Sequence, residues 1–170
     1  MNALTEEIVK ECERQAESCL YTSTALYCWY GTVRVFRIVF IVVPIVAGSL
    51  ASAKILLKDP NYDVLTAIAA LFAGLFPAIF KALDLDVSLK NILDSASLYK
   101  TLQDRFRQAA TIGASGKSED LEEEFRSLMT RMDDARKASP PIPERYFKQA
   151  QKKVEKGDYT FDGASDGTLK

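Results

Sequence analysis

FRIVFIVVPIVAGSLASAKILL, from Phe36 to Leu57, and VLTAIAALFAGLFPAIF, from Val64 to Phe80, decide how this chain folds. Between Arg37 and Lys54 the first stretch carries no charge. The second carries none at all, and Ala82, Leu83 and Leu85 extend it. A helix rises about 1.5 Å per residue, so roughly 20 residues cross about 30 Å of hydrocarbon. The first stretch is long enough. The second is long enough if Lys81 lies along the membrane surface. Neither keeps the polar stripe of a helix on a soluble core. The expected architecture is all-α: a two-helix transmembrane hairpin, residues 36–57 and 64–85, with a helical cytoplasmic bundle. A soluble bundle with two fully buried central helices is the alternative. A chain of 170 residues has little material to enclose them.

Composition fits that partition. Hydrophobic residues make up 48% and charged residues 26%, yet the apolar ones are concentrated in the middle. Net charge is −1, so there is no basic field for nucleic acid, and none is expected as a partner. Histidine is absent, which removes the commonest general base and neutral metal ligand. Cys12, Cys19 and Cys28 share one helical segment and match no zinc spacing, so they read as reduced apolar side chains. The polar, charged segment from Thr5 to Arg14 is unlike a cleavable signal.

The flanks are read outward from the spans. Residues 1–35 form an N-terminal helix, with Thr5 as a cap and Glu6 and Glu7 in the first turn. Leu4, Ile8, Cys12, Cys19, Leu26 and Val33 give it an apolar face. Tyr21, Tyr27, Trp29 and Tyr30 cluster ahead of the first span as an interfacial belt, followed by Arg34 and Arg37. The loop KDPNYD, Lys58 to Asp63, is short, so the spans are antiparallel neighbours and both termini share one side. Arg34, Arg37, Lys81 and Lys90 outnumber Lys54 and Lys58 weakly, and both termini are placed in the cytoplasm, at the inner membrane.

Beyond the second span, Leu85, Leu89, Ile92, Ala96, Tyr99, Leu102 and Phe106 make a heptad-like stripe. The span therefore continues as a long helix to about residue 112, its seam packing on the first helix or on another copy. GASGKS, Gly113 to Ser118, breaks it. A helix over 118–138 follows, with Leu121, Phe125, Leu128, Met132 and Ala135 on one face. SPPIP, Ser139 to Pro143, stops that helix. A short helix over 144–156 carries Phe147, Ala150 and Val154 on one face, and 158–170 is a flexible tail.

Each span contains a proline, Pro44 and Pro77, a defined place to bend. Small residues line both spans: Gly48 and Ser52 in the first, Ala70, Gly74 and Ala78 in the second. They let backbones approach closely in lipid, within the hairpin or between protomers. Ser49 and Ser52 are the weakly polar groups that can face a pore, and Tyr99 joins the packing residues of the cytoplasmic seam.

Catalytic patterns are thin. Gly116-Lys117-Ser118 resembles the end of a phosphate-binding loop, but Thr111 stands where the first glycine is needed, and a helix precedes it. No span holds an acid for a proton relay. Arg145, Lys148, Lys152, Lys153 and Lys156 form a basic helix, read as a solvated face with anionic lipid or nucleotide as alternatives. No catalytic residue, cofactor or metal ligand is expected, and the chain is not read as an enzyme.

The order of parts resembles a known family. Glu17-Ser18-Cys19-Leu20-Tyr21-Thr22-Ser23 in the leading helix precedes the tight hairpin. Tyr99, Leu102 and Arg105 follow in the long helix, and Pro140-Pro141-Ile142-Pro143 precedes Tyr146 and Ala150. Together they are similar to the SMODS- and SLOG-associating two-transmembrane effector family, SLATT, over residues 1–157 as a single domain. The small-residue faces and the heptad stripe predict a homo-oligomer, and the resemblance implies an effector of bacterial conflict systems that forms a pore or perturbs the membrane. It implies a nucleotide signal, arriving by direct binding or through a signalling or sensor partner, since the chain shows no fused sensor domain. A membrane anchor or scaffold that recruits an enzyme is the second reading.

Overall fold

The computed structural model describes residues 3–57, 63–82, 85–111 and 118–157. Its regular elements are α1 (Ala3–Leu57), α2 (Asp63–Ala82), α3 (Leu85–Thr111), α4 (Ser118–Ala138) and α5 (Glu144–Glu155). The fold is all-α, with no strand among the described residues. Most of the KDPNYD turn, the GASGKS break up to Lys117, and the tail from 158 lie outside the described residues. So does the junction at 83 and 84, where the second span was expected to run on into the long helix.

The expected leading helix and first span are one element, α1, of 55 residues. Pro44 lies inside it. A proline removes one donor and crowds the preceding turn, but the ladder on either side carries the helix through. Thr5 lies within the first turn and is buried, rather than capping the helix as expected.

The chain divides into two units, Met1–Trp29 with Asn91–Lys170, and Tyr30–Lys90. The first unit holds a water-excluded core. Ile8, Cys12, Ala16, Cys19, Ala25 and Leu26 of α1 are buried, as are Ile92, Ala96, Tyr99, Leu102 and Phe106 of α3. Leu121, Leu128, Met132 and Ala135 of α4 and Tyr146 and Ala150 of α5 complete it. Spacings of three and four put these residues on one face of each helix, which is why the helices form where they do. Phe106 meets Phe125 edge-on at 6.5 Å, and the Cys19 Sγ–H donates weakly to Met132 Sδ at 3.7 Å. Leu4, on the expected apolar face of α1, is exposed, and Val33 is half-buried.

Two ends show their stop signals. Ser139 N–H reaches Ala135 O at 3.0 Å, and the proline run then denies further donors. Gly157 adopts φ 84°, and its N–H donates to Val154 O at 3.0 Å, a glycine C-cap that a side chain would strain. The inward face of α5 differs from expectation. Tyr146 and Ala150 are buried with Val154 half-buried, while Phe147 is 41% exposed. The spacing of four from Tyr146 sets that face, because the Tyr146 ring has a partner on α1.

Candidate functional site: an apolar surface on α1 and α2

In the second unit, α1 presents Val35, Phe36, Ile38, Val39, Ile41, Val42, Val43, Ile45, Val46 and Leu50 as exposed large apolar side chains. On α2, Val64, Ile68, Leu71, Phe72, Leu75 and Ile79 are exposed as well. The most apolar stretch of α1 has a mean hydropathy of 2.1, and only 6% of it is buried. By length and composition α1 can cross a membrane.

The covered side of α1 is narrow. Pro44 is buried, and Phe40, Ala47 and Gly48 are half-buried. These positions recur at helical spacing, and Phe40 meets Phe76 of α2 with ring centroids 5.3 Å apart. Phe76 in turn meets Phe72 at 6.1 Å. α1 and α2 thus touch through aromatic rings, with the remaining apolar faces turned outward.

The polar and small residues take different places. Ser49 Oγ donates to Ile45 O at 2.8 Å and Ser52 Oγ donates to Gly48 O at 2.9 Å. Both hydroxyls are exposed, spend their proton on their own helix, and keep acceptor lone pairs facing outward. Gly74 and Ala78 are exposed on α2, and a Cβ added at Gly74 meets nothing within 4 Å. Among the described residues no close backbone approach uses Gly74. The side chains of Ala70 and Pro77 lie outside the described residues, although both positions are helical. Tyr99 is 4% exposed and belongs to the core of the first unit, so its seam is already covered by this chain.

The first unit is quiet chemically. Burial pushes the Cys12 and Cys19 thiols up to about 11, which keeps them protonated and unreactive. The Arg14 guanidinium donates to Glu11 at 2.6 and 2.8 Å and holds its carboxyl below the usual range, helped by Gln15 Nε2 at 2.7 Å. Gln15 Oε1 accepts from Arg136 Nη2 at 3.5 Å, a long contact between α1 and α4. Asp104, Arg107, Gln108 and Thr111 line a shallow depression on α3. Among the described residues no three metal-capable side chains gather, and Gly116 and Lys117 lie outside them.

One pairing was not legible in the sequence. Trp29, expected in an interfacial belt, stacks on Tyr146 of α5 with centroids 6.1 Å apart and planes at 22°. Arg145 places its guanidinium 4.6 Å from the same Tyr146 ring centre and donates to the Tyr146 hydroxyl at 2.7 Å. An aromatic beside a proline run was the available signal, but nothing in the spacing named its partner. No protein-family model, curated protein or solved structure matches this chain.

Proposed function

We propose that this chain is a two-span membrane protein, with α1 from about Phe36 and α2 crossing the bilayer as an antiparallel hairpin and both termini in the cytoplasm. The observation that carries the reading is the outward apolar surface of α1 and α2. Among the described residues sixteen large apolar side chains are exposed there, each 42% or more. A half-exposed side chain of this kind costs on the order of 1 kcal/mol in water. The sum rivals the whole stability of an ordinary domain, about 5–15 kcal/mol. Lipid removes that cost, and helices satisfy their own backbone in hydrocarbon.

Within that reading, the chain is a SLATT-like effector of a bacterial conflict system. It oligomerises through the small-residue face of Gly74 and Ala78, and opens the membrane when a nucleotide-signalling or sensor partner acts on its cytoplasmic helices. The outward placement of Gly74, with open space around it, supports a partner helix from another copy. Ser49 and Ser52, exposed near one another on α1, line the path, and Pro44 and Pro77 mark where the spans change shape.

The second reading, a membrane anchor that recruits an enzyme, is favoured by the serine hydrogen bonds. Both protons are already taken by the α1 backbone, as in an ordinary lipid-facing serine. Liposome leakage separates the two. The effector reading expects dye release from reconstituted protein in the presence of the native trigger, lost in Ser52→Leu or Pro77→Ala at equal insertion. Sealed vesicles under every triggering condition leave the anchor.

A further inference from the structure

α5 has two sides. Tyr146, Ala150 and Val154 face the core of their own unit. Arg145, Lys148, Lys152 and Lys156 follow one another at spacings of three and four, which at about 100° per residue gathers them on the side turned away. All four are exposed, and exposed Lys153 flanks them. From Glu144 to Lys156 five cations stand against two carboxylates, in a chain whose net charge is −1. One carboxylate, Glu144, pairs with Lys148 at 2.7 Å, but both partners are exposed and such a pair yields readily.

The helix is also tied to a particular point of the chain. Tyr146 stacks on Trp29, the last residue of its unit's N-terminal segment, and the apolar run of α1 opens at Val35, six residues further along the sequence. Trp29 precedes that run along the same helix, so cations on the helix stacked against it are candidates for anionic headgroups, which attract each nearby cation until screening cuts in at about 10 Å. Phe147, 41% exposed, sits next to Val154 at the rim of the inward face and takes no part in the stripe.

We propose that the outward face of α5 rests on the anionic headgroups of the bilayer surface, through Lys148, Lys152 and Lys156. The proposal rests on the two-span reading above. Tyr146 holds the inward face of α5 against Trp29, which leaves the three lysines on the opposite face to contact lipid.

The test uses the full chain in nanodiscs of phosphatidylcholine, with and without phosphatidylglycerol. A bimane label on Gln149→Cys, in a Cys28→Ser background, reports quenching by nitroxide-headgroup lipid; Cys12 and Cys19 are buried and stay unlabelled. Quenching is expected in the anionic nanodiscs. It should fall several-fold without phosphatidylglycerol, and equally in Lys148→Gln/Lys152→Gln/Lys156→Gln, while carbonate extraction shows all forms still inserted. Inserted protein whose quenching ignores both changes overturns the proposal and leaves the two-span reading standing. Protein that carbonate strips from the membrane overturns both. Quenching abolished by millimolar glycerol phosphate, with the lipid unchanged, assigns the stripe to a free anion and overturns the bilayer contact.

Discussion

Trp29 and Tyr146 stack at 6.1 Å, joining α1 to α5 across most of the sequence. Trp29 is the single tryptophan of the chain, so its fluorescence reports this contact alone. Tyr146→Ala removes a ring that is 3% exposed, together with its stack on Trp29 and its cation–π contact with Arg145. The expected cost is about 2–4 kcal/mol, with a red shift of the Trp29 emission. Phe147→Ala, by contrast, is expected to leave both stability and emission near wild type in detergent.

The buried thiols give a pH signature. Cys12 and Cys19 sit near 11 in the folded chain against an ordinary 9.0. A raised value means the folded state holds the proton more tightly. The stability this contributes is complete below about pH 9 and is lost as pH rises toward 11. Cys12→Ala/Cys19→Ala is therefore expected to flatten the fall in stability over that window. Alkylation at pH 8 is expected to reach Cys28 first.

Much of the first unit was legible because its helices bury one face each. Ile8, Cys12, Cys19 and Leu26, the α3 stripe from Ile92 to Phe106, and Leu121, Leu128, Met132 and Ala135 were read from spacing alone and are buried. The inward face of α5 was not. In a short helix Tyr146 and Phe147 are both plausible inward residues by hydrophobicity, and only the partner ring of Trp29 decides between them. The helix runs through Pro44, as the single span expected over 36–57 requires, because the ladder on either side carries it past the missing donor. The apolar stretches declared themselves by composition, but which side of each is covered depended on Phe40 meeting Phe76.

Assembly is tested at Gly74. A Cβ added there meets nothing within 4 Å, so Gly74→Leu is expected to leave the monomer's stability unchanged within about 0.5 kcal/mol. It should shift the oligomer distribution in mild detergent toward smaller species. An unchanged distribution removes the Gly74 and Ala78 face from the interface. Tyr99→Asp does not report on assembly, because a charge at a position 4% exposed unfolds the first unit outright.

The central claim is that α1 and α2 cross the bilayer as a hairpin, and cysteine accessibility in cells tests it most directly. In a cysteine-free background, a membrane-impermeant reagent applied from outside is expected to label Asn61→Cys. It should reach Ser118→Cys only after permeabilisation, and Val43→Cys under neither condition. Labelling of Ser118→Cys but not Asn61→Cys in intact cells contradicts the orientation. Labelling of both from outside, or of Val43→Cys in the folded protein, contradicts the hairpin itself.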